Sequence, residues 1–583
     1  MTEKQQPGSL SYQWRQRFVL GVIMIGMTSL IVRATWLQFN QDPRLIRQLE
    51  RQQHEIVRQA VARGRILDRH GEILASSAPI RSVGIDRQLF QVNAQSVSML
   101  GKTLGIPLRT LRKTLNQHKT SRYLPIKRRV SPSKSRQVAS LGLDGIVIDH
   151  RYDRYYPAGE SSAQVIGFVD GSGHGKAGAE QIFDDQLYST AGAYSVIRDR
   201  MRHKLESIKQ VKQPESGSDI MLSIDQRLQY SAYKELKAAM QQHRAKAASF
   251  VMLDVDSGEI LAMANLPEFN PNDKTDRNPA HYRNRAVTDL FEPGSTIKPF
   301  TIACALQAGM ITPETEFDTS PGYLRVGRHI VRDTHNYKLL NISGVLRKSS
   351  NIGVTKIALA LQPQILWDCF HRAQLDLKTS IRFPGTVAGH LPDYHGWGQF
   401  EQATHAFGYG LNTSLLQLAH AYTAIANQGI APNLSLLKQA QSSANTQVFE
   451  ARTAEQILSM METVVSSSGT ASRAQIPGYR IAGKTGTVQK ITSQGYSRDH
   501  HLALFVGIAP ASHPRFVAAV LVDDPQQGGY YGGVVAAPVF ANVMKQALRL
   551  YAVSPDKQSD EVHRLPVPSL LAANDDYIKK AVK

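Results

Sequence analysis

Apolar residues run almost unbroken from Phe18 to Val32 (FVLGVIMIGMTSLIV), pause at Arg33 and resume through Phe39. The 22 residues Phe18–Phe39 predict one helix of about 33 Å at 1.5 Å per residue. That is enough to cross the hydrocarbon core of a bilayer. Arg33 near the far end can snorkel to the headgroups, and Trp36 suits the interface. No small-x-small cleavage site follows, so residues 18–39 are expected to stay as an anchor. Lys4, Arg15 and Arg17 favour a cytoplasmic tail at 1–17, while Arg44, Arg47 and Arg51 pull the other way.

Beyond the anchor the pattern changes several times. Residues 42–61 are charged and helix-prone. Arg63 to Ala75 reads as two short strands around a turn at His70-Gly71. Mixed helices and strands then run to about residue 215, including a basic stretch from Lys127 to Arg136. The polar segment 211–219, with Pro214 and Gly217, reads as a linker. A second globular unit starts with an amphipathic helix, Gln226–His243. A buried strand (Ala248–Leu253), a turn (Asp256–Glu259) and a returning strand (Ile260–Ala264) follow. Arg480–Val488, His501–Ile508 and Phe516–Val522 read as later strands. Strands at both ends with helices between them predict an α+β domain whose sheet joins distant parts of the chain. The expected domains are 57–216 and 217–553, with a loosely ordered tail at 554–583.

Composition narrows the choice. A chain of 583 residues exceeds one compact core, and 20% charged with 42% hydrophobic residues is ordinary for globular protein. The net charge of +20 suits an anionic partner such as acidic phospholipid or cell-wall polymer. Its positive residues read as spread along the chain, and no nucleic-acid-binding motif accompanies them. Cys304 and Cys369 are the two cysteines, so a disulfide scaffold is excluded and their pairing stays open. No metal site or cofactor motif is expected.

The chemistry lies in three short strings: Ser295-Thr296-Ile297-Lys298, Ser349-Ser350-Asn351 and Lys484-Thr485-Gly486-Thr487. Ser-x-x-Lys alone is weak, since it recurs at Ser131, Ser231, Ser435 and Ser554. The ordered triplet is specific, being the pattern of serine enzymes that react with penicillin. Ser295 at a helix N-cap after Pro293-Gly294 would place Lys298 one turn along on the same face. A neutral Lys298 could take the serine proton, its pKa lowered by burial and by Lys484. Ser349 can relay a proton, and Asn351 offers its amide to a substrate carbonyl. Residues 484–487 read as a strand, with Gly486 leaving room for a second backbone. Lys484, Thr485 and Thr487 suit a terminal carboxylate, and the N–H groups of Ser295 and Thr487 suit an oxyanion.

Two other motifs compete. Residues 478–485 fit the P-loop G-x-x-x-x-G-K-[ST], but Gly486, Thr487 and Val488 oppose the helix that must follow. Residues 173–178 fit G-x-G-x-x-G without a βαβ context. Both are expected to be ordinary backbone.

With these residues the chain resembles the class B penicillin-binding proteins over nearly its whole length, nearest the division-specific group typified by penicillin-binding protein 3. Arg63-Gly64 to Ala75, and Arg154-Tyr155-Tyr156-Pro157 to Glu180, resemble the family's pedestal landmarks. Arg283-Asn284-Arg285, Phe291 to Pro299, Phe407-Gly408-Tyr409-Gly410 and Tyr530-Tyr531-Gly532-Gly533 add to the match. The resemblance implies a pedestal and a transpeptidase domain with an antiparallel sheet flanked by helices. It implies a D,D-transpeptidase of septal peptidoglycan, with Ser295, Lys298, Ser349 and Lys484 catalytic and Asn351, Thr485, Gly486 and Thr487 binding substrate. Stem peptides ending in D-Ala-D-Ala would be substrates and β-lactams inhibitors. The division glycan polymerase and other divisome proteins would be partners, with the catalytic domain in the periplasm at the septum. A D,D-carboxypeptidase or β-lactamase using the same groups, and a catalytically idle scaffold, are the alternatives. No E-x-x-L-N string carries a deacylating glutamate.

Overall fold

The computed structural model describes residues 9–39, 54–117, 122–198, 204–273, 275, 278–439, 445–493 and 495–557. Helix α1 (Ser9–Phe39) includes the apolar span Gln13–Phe39, exposed along its length. Among the described residues it is the helix long and apolar enough to cross a membrane. Two of its hydroxyls are satisfied within the helix: Thr28 Oγ1 donates to the Met24 carbonyl and Thr35 Oγ1 to that of Ile31, each at 2.7 Å. Arg33 lies 4.8 Å from the centre of the Trp36 ring, a cation–π contact.

The chain forms two compact units, and the division is not linear in sequence. The first takes residues 1–62, 80–152 and 189–216. Its core of Val83, Ile85, Val97, Leu100, Leu111 and Leu124 joins short helices to the strand Tyr123–Val130. Asn93 caps one helix at its start and Gly105, in the left-handed region at φ 64°, ends it. Helix α2 (Leu108–Gln117) buries Leu111 and Leu115 in this core. A separate three-stranded antiparallel sheet joins His54–Gln59, Gly192–Arg198 and Lys204–Lys212. The helix expected over 42–61 is therefore corrected at 54–59, where ladder bonds to Gly192–Arg198 override local propensity. Its remainder at 42–53 lies outside the described residues.

The second unit takes 63–79, 153–188 and 217–583. Its centre is an antiparallel sheet of β1 (Ala247–Asp254), β2 (Ile260–Leu266), β3 (Ala482–Thr492), β4 (Gly495–Ala509) and β5 (Phe516–Asp523). The spatial order is β2-β1-β5-β4-β3, so the expected sheet built from distant segments is present. Every residue of β1 and β2 is buried, as continuous apolar runs require of strands covered on both faces. Helix α3 (Gln226–His243), capped by Asp225, packs on this sheet with Ala537–Leu550. Leu415–Ala426, buried along its whole length, packs on β1 and β5.

Within the same unit Glu180, fully buried, bridges two guanidinium groups. Arg63 Nε reaches it at 2.7 Å and Arg154 Nε at 2.6 Å, and Arg63 also meets Asp184 at 2.7 Å. Two cations facing two carboxylates leave no net buried charge, the condition under which such a cluster is tolerated. The glycines at 173–178 belong to this network, since Gly173 O accepts from Arg63. The dinucleotide-like match is thus a structural loop.

Candidate active site

Ser295 lies in a 3₁₀ turn, Gly294–Ile297, and α4 (Lys298–Gln307) begins at the lysine. The expected N-cap position for Ser295 is corrected: Pro293 precedes the turn, and the Lys298 N–H donates to the Ser295 carbonyl. The tighter turn still joins serine and lysine directly. The Ser295 N–H lies in the first turn, where no intrahelical carbonyl precedes it. Gly294 (φ 53°) and Gly408 (φ 88°) meet back to back, with Gly294 N donating to Gly408 O at 3.0 Å. A Cβ on Gly408 would lie 2.1 Å from Gly294 O, so the Phe-Gly-Tyr-Gly string is what lets the Ser295 turn seat. Tyr422, fully buried, donates to the Thr296 carbonyl at 2.6 Å.

Lys298 and Lys484 are both fully buried. Lys298 Nζ donates to Ser349 O at 2.6 Å, Asn351 Oδ1 at 2.7 Å and Ser349 Oγ at 3.2 Å. Lys484 Nζ donates to the same Ser349 Oγ at 3.0 Å and to Thr485 O at 3.0 Å. One hydroxyl therefore joins the two lysines. Burial brings Lys298 down to about 7, against the opposing pull of the Asp333 carboxylate. Burial, with Lys298 close by, pushes Lys484 well below the ordinary lysine range.

The Ser349–Asn351 turn joins Ile342–Lys348 to Asn351–Leu359. Ser349 ends the first helix in the left-handed region at φ 56°, a conformation that side chains other than glycine hold only when their surroundings fix it. Ser350, between the two site residues, caps the second helix by accepting from Gly353 N at 2.9 Å. What fixes the turn is Asp333, which the motifs do not reveal. Its carboxylate accepts from Ser350 Oγ at 2.5 Å, Asn351 N at 2.5 Å and Ile352 N at 3.1 Å. Asn351 Nδ2 donates to Arg332 O at 2.9 Å, which turns the amide oxygen toward Lys298.

The Lys-Thr-Gly-Thr string lies on β3, the edge strand of the sheet. No helix follows Thr485, as the P-loop reading would require. The Thr485 carbonyl accepts from Lys484 Nζ and the Gln489 backbone hydrogen-bonds Tyr409. By strand alternation the backbone groups of 485, 487 and 489 point away from β4. The Thr487 N–H thus faces the open edge. Gly486 makes its room differently from expectation: a Cβ there would meet Thr296 Cγ2 at 2.9 Å and Pro293 O at 3.2 Å. The space is filled by the turn that carries Ser295, which binds edge strand to serine. Thr485 Oγ1 shares a hydrogen bond with Thr470 at 3.0 Å, and Thr487 Oγ1 accepts from Gly532 N at 3.1 Å. A cavity of about 370 Å³ lies beside Asn351, walled by Val331, Phe407, Tyr409 and Tyr496.

This arrangement coincides with a sequence match to the penicillin binding protein transpeptidase domain over residues 248–545. The penicillin-binding protein dimerisation domain matches over 58–222. The chain belongs to the class B penicillin-binding proteins. Among other members, the probable peptidoglycan D,D-transpeptidase PenA of Neisseria gonorrhoeae is 39% identical over 562 residues, covering 95% of this chain and 96% of that protein. The peptidoglycan D,D-transpeptidase FtsI of Escherichia coli (strain K12) is 36% identical over 559 residues, covering 95% of each. The apo structure of the TP domain from Burkholderia pseudomallei penicillin-binding protein 3 aligns with a TM-score of 0.54 at 41% identity, covering 58% of this chain and 98% of that one. In this class B penicillin-binding protein two of the other Ser-x-x-Lys serines serve local structure. Ser131 caps a short helix by accepting from Lys134 N, and Ser435 bonds its own loop at Leu437 O.

Proposed function

We propose that the chain is a serine D,D-transpeptidase that cross-links peptidoglycan stem peptides at the division septum, with Ser295 as nucleophile. The observation that carries the assignment is the convergence of two buried lysines on one Ser349 hydroxyl beside an open strand edge. A peptide ending in D-Ala-D-Ala would pair with β3 as an added strand. Lys484, Thr485 and Thr487 would hold its terminal carboxylate, whose charge restores that of Lys484, while the Asn351 amide meets the peptide backbone.

Neutral Lys298 takes the Ser295 proton as Oγ attacks the penultimate D-alanine carbonyl. The N–H groups of Ser295 and Thr487 receive the oxyanion. Collapse breaks the peptide bond, and the departing D-alanine nitrogen takes a proton through Ser349, leaving an acyl-enzyme. An amine of a second stem peptide attacks the ester, loses its proton to the lysine pair, and releases Ser295 with its proton restored. β-Lactams would acylate Ser295 by the same first step. Gly486 acts by seating the nucleophile turn against β3.

The functional division at about residue 217, with a pedestal over 57–216 and catalysis over 217–553, is part of the proposal. So are the periplasmic placement of the catalytic unit and docking to the septal glycan polymerase and other divisome proteins. Fluorescent penicillin tests the nucleophile. Ser295→Ala should abolish covalent labelling while melting like the parent, and Ser435→Ala should label normally. Retained labelling of Ser295→Ala refutes the assignment.

A further inference from the structure

The positive charge is less evenly spread than it reads at first. Residues 87–143 hold twelve Lys or Arg and no Asp or Glu, so this short span carries twelve positive charges of a formal net +20. All of it lies in the first compact unit. Some of these cations are engaged internally. Arg87 donates to Leu115 O, Lys127 to Leu104 O, and Arg122 pairs with Asp86 at 3.1 Å. Arg109, Arg112, Lys113, Arg128, Lys134 and Arg136 are exposed and have no ion pair among the described residues.

The placement is unfavourable for the fold taken alone. Arg109, Arg112 and Lys113 share one face of α2, opposite buried Leu111 and Leu115. Like charges three and four residues apart repel. Arg109 also stands at the positive end of the helix dipole, and the first turn holds no acidic residue to offset it. Such a face is stabilised by an anionic surface outside the chain.

We propose that this face docks on the anionic phospholipid headgroups of the membrane that anchors the chain. The same compact unit contains α1, the helix long and apolar enough to cross a membrane. The chain from Phe39 to the strand at His54 can extend to at most about 50 Å, so the unit is held permanently near a bilayer. A tether of that length keeps the local concentration of headgroups high. A protein partner fits less well. Val92 and Leu108 are the exposed large apolar side chains of this span among the described residues, too few for the apolar centre of a protein interface. Leu108 begins α2 beside Arg109, the pairing of an apolar edge with flanking cations seen at membrane surfaces.

The test uses the full-length chain in nanodiscs of phosphatidylcholine alone or with phosphatidylglycerol added. Hydrogen exchange is followed over 108–117. Each cation held at an anionic surface is worth about a five-fold change in affinity. The α2 amides should exchange at least about five-fold more slowly in the anionic discs, and high salt should remove the difference. Arg109→Gln/Arg112→Gln/Lys113→Gln should keep the phosphatidylcholine exchange rate and lose the lipid dependence, with penicillin labelling unchanged. Equal exchange in the two discs overturns the proposal, as does lipid dependence that survives the triple substitution. Protection that arises in phosphatidylcholine discs on adding soluble peptidoglycan strands, and not from phosphatidylglycerol, also overturns it and assigns the face to the wall polymer.

Discussion

Lys298 must be neutral to accept a proton, yet it sits fully buried with three oxygen acceptors within 3.2 Å. Burial favours the neutral amine and Asp333 opposes it, which leaves the group near neutrality at about 7. The sign of the pH dependence follows. Below about 7 Lys298 is protonated and the base is lost. The second-order rate of acylation by penicillin should therefore fall about ten-fold per pH unit on the acid side and level off above it. Stopped-flow acylation across pH checks this, and a flat profile through neutrality would remove Lys298 as the base. The four proposed catalytic side chains were legible because their chemistry resides in residue type and order. Asp333 was not. It contributes through two oxygens aimed at a turn distant in sequence, and an aspartate after a short hairpin carries no local pattern that says so.

At the scale of elements, the sequence identified the sheet strands and the long amphipathic helix well, since their periodicity is strong. It placed Ser295 at the N-cap of an α-helix, whereas the residue lies inside a 3₁₀ turn that precedes α4, because a proline-glycine turn leads equally to an α-helix or a 3₁₀ turn. It also assigned the space above Gly486 to substrate, when packing assigns it to Thr296 and Pro293. Gly486→Ala should then act on the enzyme itself. Seating a methyl 2.9 Å from Thr296 Cγ2 costs about 1–3 kcal/mol by overpacking and displaces the nucleophile turn. Thermal melting and acylation should worsen together, whereas an effect on peptide binding alone would point back to the substrate. Composition left the cysteines open, and the structure joins Cys304 of α4 to Cys369 of Pro363–Arg372. The bridge closes a separation of 65 residues, so Cys304→Ala/Cys369→Ala should lose about 2–4 kcal/mol by denaturant unfolding. An unchanged midpoint would contradict a stabilising bridge.

Across the whole molecule, the linear reading of pedestal then catalytic domain meets a chain that crosses between two compact units several times. Sequence could not show this, because Arg63, Arg154 and Glu180 meet only through tertiary contacts of the second unit. A helix long and apolar enough to cross a membrane was readable from length and hydropathy alone. In the proposed mechanism Ser295 forms an acyl-enzyme that waits for an amine. No E-x-x-L-N glutamate is present to activate water, and base catalysis of that step is worth about 10²–10⁴-fold. Timed intact-mass spectrometry after mixing with penicillin, followed by peptide mapping, reads the claim directly. One penicilloyl adduct, on Ser295, should persist for minutes or longer while penicillin consumption stops. An adduct elsewhere, or continuous consumption of penicillin with no accumulating adduct, would contradict it.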